Sequence, residues 1–116
     1  CVVATAKNIH LTLTGIESLK VKETDRVFAL QQELKKIGGN LVEVESCLKY
    51  ELSGSLILNE QAVPEFETYD DHRMAMAFAP LAIKVPIVIE EAEVVSKSYP
   101  TFWDDLKSVG FKIVNI

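Results

Sequence analysis

Thr24-Asp25-Arg26-Val27-Phe28-Ala29-Leu30-Gln31-Gln32-Glu33-Leu34-Lys35-Lys36-Ile37-Gly38-Gly39 separates by position into two faces. Val27, Leu30, Leu34 and Ile37 recur at three- and four-residue steps, while Gln31, Gln32, Glu33, Lys35 and Lys36 take the other side, which predicts an amphipathic helix over 24–37 with its polar row in water. Gly38 and Gly39 stop it. On its N-terminal side, Ile9–Thr14 alternates apolar and polar side chains as a half-buried strand does, and Gly15 ends that run. On its C-terminal side, Leu41–Val44 and Leu48–Leu52 read as a strand pair, with Ser53-Gly54-Ser55 as a break and Leu56–Leu58 as a possible continuation of the sheet.

The same logic carries to the chain's second half. Pro64–Tyr69 is expected to be extended, and Asp70 or Asp71 to cap a helix through Ala82. That helix is apolar on most sides, so it is expected between layers, with Pro80 kinking it or marking its last turn. Val85–Ile89 reads as a strand. Ser98 and Pro100 open a last helix with Phe102, Leu106 and Val109 as its stripe and Gly110 as its stop, and Phe111–Ile116 reads as a final strand. Helices alternating with single strands and strand pairs predict an α/β (α+β layered) domain with helices packed on a sheet.

Composition narrows the function classes. The chain has 116 residues, enough for one domain. Its net charge of −5 excludes a broad nucleic-acid surface, because phosphate binding needs a clustered excess of Lys and Arg. The longest apolar stretches are broken by Pro80, Lys84 and Pro86 and fall short of a membrane span. With no secretory signal pattern, the expected compartment is the cytoplasm. Cys1 and Cys47 are too few and too far apart for a metal framework and are expected to be free thiols. Cys1 is not an initiator Met and Val2–Lys7 reads as the middle of an element, so the chain is expected to have been cut from something longer.

Three segments concentrate charge where a fold does not require it: Lys20-Val21-Lys22-Glu23-Thr24-Asp25-Arg26, Asp70-Asp71-His72-Arg73 and Ser96-Lys97-Ser98. Each lies at the entrance to a predicted helix, where backbone N–H groups favour anions. Cations in a first turn oppose the helix dipole, a cost that a bound anion offsets. Each segment also has a plainer reading. Lys22 and Arg26 are four apart on one helix face, Asp25 and Arg26 read equally well as solvated surface charges, and His72 suits a cap or a core position.

These segments, in this order and spacing, resemble the landmarks of the EPSP synthase family: Lys20-x-Lys22-Glu23-Thr24-Asp25-Arg26, Asp71-His72-Arg73-Met74-Ala75-Met76-Ala77 and Lys97-Ser98-Tyr99-Pro100-x-Phe102. The resemblance runs from about Gly15 to the end. It implies part of an enolpyruvyl-transferase inside-out α/β barrel built from βαβαββ units. Residues 1–116 would form the C-terminal portion of the domain that contains both termini, completed by the remainder of the enzyme chain. It further implies enolpyruvyl transfer from phosphoenolpyruvate to the 5-hydroxyl of shikimate 3-phosphate, with no metal or organic cofactor. By residue, Arg26 and Arg73 match the arginines on phosphoenolpyruvate, Lys97 the lysine near its phosphate, and Lys22 a lysine on shikimate 3-phosphate. Glu23 matches the carboxylate that exchanges a proton with the methylene carbon. Ser18 departs from an Asn frequent in the family, and the aspartate base falls before Cys1. The rival readings are the UDP-N-acetylglucosamine enolpyruvyl transferase of the same fold, and a non-catalytic anion-binding domain.

Overall fold

A computed structural model describes residues 1–46, 48–58 and 62–116. A short helix α1 (Val2–Ala6) opens the chain. It closes with the Ile9 N–H donating to the Ala4 carbonyl at 2.8 Å and Asn8 in the left-handed region at φ 58°. That paired closure consumes Ile9, so strand β1 covers Leu11–Thr14 and starts two residues later than the alternation predicts.

A 3-10 helix (Glu17–Val21) leads to α2 (Arg26–Lys35), followed by β2 (Gly39–Glu45) and β3 (Lys49–Gly54). These strands form one antiparallel sheet in the order β1-β3-β2. Leu11 and Leu41 both face Leu52 across β3, and Leu13 faces Tyr50, so the apolar residues of three strands gather on one side. The register slips between Glu43 and Glu45, and Val42 and Val44 are exposed. α2 packs on β2 and buries Val27, Ala29 and Leu34, joined in the core by Ile37, Tyr50, Leu52, Phe66 and Phe78. The expected strand pair is present. Residues 56–58 form no strand, although the Ile57 N–H reaches the Ile37 carbonyl at 2.8 Å.

The second half places β4 (Glu65–Phe66) parallel to β5 (Val88–Ile89), with α3 (His72–Phe78) between them in sequence. Both strands are shorter than the extended runs predicted. α3 ends at Phe78 and yields to a 3-10 helix over Ala79–Ile83, because Pro80 has no N–H for the Met76 carbonyl and its ring crowds that turn. The helix expected to reach Ala82 therefore stops four residues early. Only part of it is enclosed: Met74, Ala75 and Phe78 are buried, whereas Ala77 and Ala82 are exposed. The Phe66 and Phe78 rings stack at 4.4 Å between centroids and fasten α3 over β4.

α4 (Phe102–Ser108) follows a 3-10 helix at Ala92–Val95. Its expected stripe is not buried: Val109 is 72% exposed, and no residue of α4 is fully enclosed. Residues 111–116 adopt no strand. They border, with Ile87, Ile89, Trp103 and Leu106, an open apolar groove of about 550 Å³. A strand needs a partner strand, and among the described residues this segment pairs with none, its Phe111 N–H donating instead to the Leu106 carbonyl of α4 at 3.1 Å. The observed layering of helices on sheets is the mixed α/β arrangement expected. Cys1 is a free thiol; Cys47 lies outside the described residues.

Gly38 and Gly54 meet backbone to backbone at the end of the β2–β3 pair, with φ of +92° and +91°. A Cβ on Gly54 would lie 2.2 Å from the Gly38 carbonyl oxygen, whereas a Cβ on Gly15 (φ +73°) would meet nothing within 4 Å. Gly15→Ala is expected to cost about 1–2 kcal/mol, the conformational penalty alone. Gly54→Ala is expected to cost clearly more, and urea denaturation of the two variants side by side measures the difference.

Candidate functional site

Asp25 caps α2, its side chain accepting from the Phe28 N–H at 3.0 Å. Asp71 caps α3 in the same way, accepting from the Arg73 N–H at 2.9 Å. Of the two candidate caps, Asp71 is the one used. His72 is the first residue of α3, half-buried, with Nδ1 4.0 Å from the Asp71 carboxylate.

The two helix starts are joined by a single side chain. Arg26 Nε donates to Asp71 Oδ2 at 2.7 Å and Nη2 to Asp71 Oδ1 at 3.3 Å. Nη2 also donates to Glu23 Oε2. The Asp71 side chain is 0% exposed and that of Arg26 11%. Arg26 is thus not the solvated surface charge that its sequence context equally allowed. The hydrogen bonds that Arg26 donates to Asp71 raise its pKa above the ordinary guanidinium value against the opposing effect of burial, so it remains a cation. Arg26 Nη1 has no partner among the described residues, which leaves one edge of the fork for a further acceptor.

The remaining candidates are exposed. Lys22, Arg73 and Lys97 reach water, and among the described residues no hydrogen bond or ion pair engages their side chains. Lys22 precedes α2 in an extended conformation, so it does not share a helix face with Arg26 as the four-residue spacing predicts. Lys97 does not open a helix either. It follows the Ala92–Val95 3-10 helix, which packs on α3, and α4 starts only at Phe102. The Tyr99 hydroxyl donates to Asp105 Oδ2 at 2.6 Å, a bond that raises its pKa and ties this turn to α4. Glu23 is about half exposed on the outer side of Arg26.

The first two landmark segments are therefore joined by a direct, buried ion pair. Their sequence profile is that of a known family: residues 1–106 match the one described as EPSP synthase (3-phosphoshikimate 1-carboxyvinyltransferase). The chain belongs to the EPSP synthase family. It is 50% identical over 108 residues to the 3-phosphoshikimate 1-carboxyvinyltransferase of Bacteroides fragilis (strain YCH46), covering 91% of this chain and 26% of that protein. It is 40% identical over 104 residues to the enzyme of that name from Clostridium novyi (strain NT), covering 84% of this chain and 22% of that protein. The chain spans about a quarter of the length of these curated relatives. No helix among the described residues is long and apolar enough to cross a membrane.

Two residues near the site escaped the sequence reading. Glu33, assigned there to the watery face of α2, is 1% exposed. The signal was present: Arg26, Ala29 and Glu33 fall on one i, i+3, i+7 row, and all three are buried. Tyr69 is the second. It and Asp70 both sit at φ 54°, a left-handed pair that costs about 1–2 kcal/mol per residue for L side chains. The Tyr69 hydroxyl donates to Glu33 Oε2 at 2.8 Å.

Burial, then the bond to Glu33, raises the Tyr69 phenol well above its ordinary value of 10.0. A raised folded-state pKa contributes stability that is fully present below pH 10 and is lost as pH climbs toward the folded value. Alkaline denaturation of Tyr69→Phe is expected to show a shallower loss of stability above pH 10 than the parent. For the ion pair, Asp71→Ala leaves Arg26 without its buried partner and with only the half-exposed Glu23, and a loss of about 3–5 kcal/mol is expected in chemical denaturation.

Proposed function

We propose that this chain supplies the C-terminal part of a 3-phosphoshikimate 1-carboxyvinyltransferase, within the domain of the family's inside-out α/β barrel that holds both chain termini. The enzyme works in the cytoplasm on phosphoenolpyruvate and shikimate 3-phosphate. The observation that carries this reading is the Arg26–Asp71 pair, which holds the end of the first family landmark against the start of the second and leaves Arg26 Nη1 and the Arg73 side chain uncommitted among the described residues.

In this reading Arg26 and Arg73 hold phosphoenolpyruvate, because planar guanidinium groups donate paired hydrogen bonds to carboxylate and phosphate oxygens. Lys97 adds charge near the phosphate, and Lys22 contacts shikimate 3-phosphate. The 5-hydroxyl oxygen of shikimate 3-phosphate bonds to the enol carbon and gives its proton to the aspartate base that the family places before Cys1, while a proton passes from Glu23 to the methylene carbon. The tetrahedral adduct then expels phosphate as Glu23 takes a proton back. Glu23 on Arg26 occupies a donor that an incoming anion also seeks, so substrate entry loosens that pair and frees the carboxyl group for the carbon it serves. Fixed cations stabilise the charge that moves through the adduct. The names of the relatives favour the shikimate substrate over UDP-N-acetylglucosamine, and assay with each acceptor separates the two.

Arg73→Ala in the full-length enzyme is expected to lower kcat/KM for phosphoenolpyruvate by about 30- to several thousand-fold, the equivalent of about 2–5 kcal/mol for a truncated charge-assisted contact. The KM for shikimate 3-phosphate should move little. Unchanged kinetics toward phosphoenolpyruvate would sink the assignment. Glu23→Gln keeps the shape and removes the proton, so kcat is expected to fall roughly 10²–10⁴-fold, with much smaller changes in KM. The isolated chain is expected to release no phosphate from the two substrates, since it lacks the other positioning groups.

A further inference from the structure

Glu33 lies two turns beyond Arg26 on the inward row of α2, and its carboxylate serves the segment that leads to Asp71. Oε1 accepts from the Glu67 N–H at 2.7 Å and from Lys36 Nζ at 2.7 Å, and Oε2 accepts from the Tyr69 hydroxyl at 2.8 Å. Lys36 Nζ also donates to the Glu65 carbonyl at 3.0 Å. Residue 65 is therefore tied to Lys36, which caps the end of α2, residues 67 and 69 to Glu33 in its C-terminal half, and Asp71 to its first residue. The ties at 65 and 67 are made by the backbone, whose side chains there are exposed while Phe66 and Thr68 are buried, and those at 69 and 71 by side chains, so one helix anchors this segment at four places.

Between the third and fourth anchors the chain passes through Tyr69 and Asp70, both at φ 54°. Tyrosine has no intrinsic preference for that conformation, and something must hold it there. The hydroxyl at the far end of its ring is fixed on a buried carboxylate that is itself held by two further donors. The Asp71 N–H then closes on the Thr68 carbonyl at 2.9 Å, which completes the turn.

We propose that Glu33 and Tyr69 are positioning residues for the anion site: the Glu33 carboxylate, through the Tyr69 hydroxyl and the Glu67 amide, holds the left-handed turn that sets Asp71 against Arg26. Neither touches substrate. They act through Asp71, which aligns the Arg26 fork and caps the helix bearing Arg73. This rests on the reading of Arg26 as a phosphoenolpyruvate ligand only for its kinetic consequence. The geometric claim concerns Arg26 and Asp71 alone. A purely architectural role for Glu33 would lower stability without changing the surroundings of Arg26 in the folded protein.

The test is made on the full-length enzyme with Tyr69→Phe, which deletes one oxygen, and Glu33→Ala. Gly54→Ala, whose Cβ would press on the Gly38 carbonyl and on none of these hydrogen bonds, is the comparison. Arg26 and Arg73 are the chain's two arginines, the first buried and the second exposed. Modification by phenylglyoxal, quantified at each arginine by mass spectrometry without substrate, is expected to accelerate several-fold at Arg26 relative to Arg73 in Tyr69→Phe and Glu33→Ala, but not in Gly54→Ala. In parallel, kcat/KM for phosphoenolpyruvate is expected to fall on the order of 10-fold or more, with the KM for shikimate 3-phosphate within about twofold of the parent. Unchanged Arg26 reactivity in folded Tyr69→Phe, or equal acceleration in Gly54→Ala, overturns the proposal. If Glu33→Ala does not fold, Glu33→Gln, which keeps one accepting oxygen, takes its place with a smaller acceleration expected and none overturning it. A parent enzyme with no turnover on the two substrates would remove the functional reading and leave the arginine-protection result standing.

Discussion

Withdrawing a guanidinium and a carboxylate from water costs several kcal/mol for each ion, and the cost is recovered only when the two meet in good geometry with their other hydrogen-bonding atoms satisfied. The Arg26–Asp71 pair meets that condition at the carboxylate and at two of the three guanidinium nitrogens, Nε and Nη2. Asp71 takes two bonds from Arg26 and one from the Arg73 amide, and Arg26 takes a second carboxylate, Glu23, on its outer side. The pair fixes where α2 and α3 begin relative to each other, and the apolar core behind it, from Val27 to Phe66 and Phe78, makes that distance rigid. The elements that carry the site are arranged around this contact.

The electrostatics differ from a simple picture of helix starts waiting for anions. Both α2 and α3 already have an anion at the N-terminus, supplied by Asp25 and Asp71. The anion preference of those backbone N–H groups is therefore partly met within the chain. What remains for a ligand is the set of side-chain cations: one edge of Arg26, and the exposed Lys22, Arg73 and Lys97. A chain of net charge −5 can hold such a site because its carboxylates align the cations as well as balance them.

Glu33 extends the same principle along α2. Its three hydrogen bonds convert a buried charge into a clamp on residues that precede Asp71. Together with Arg26 it makes the inward face of α2 polar at both ends of its row and apolar between and beside them. Such a face orders a specific neighbour, because each polar atom has one partner that satisfies it, whereas an apolar face accepts many.

The local elements were legible in the residues themselves. The period of Val27, Leu30, Leu34 and Ile37 marked α2, Gly38-Gly39 marked its end, and alternation marked the β2–β3 pair, since these signals are set by backbone geometry within a few positions. The charged segments that carry the candidate residues were legible for the same reason, as residue types and spacings in one dimension. Where Ile9 closes a helix and Pro80 denies a hydrogen bond, local patterns gave the element and misplaced its edge. Only the tertiary structure decided that Arg26 and Glu33 are buried, that Lys22 and Lys97 lie outside regular helices, that the stripe of α4 is no more than half-buried, and that residues 111–116 form no strand. Burial of a charge depends on a partner 45 or 36 residues away, as with Asp71 for Arg26 and Tyr69 for Glu33. A strand depends on an edge that another segment must offer, and neither condition is written in the period of the segment itself.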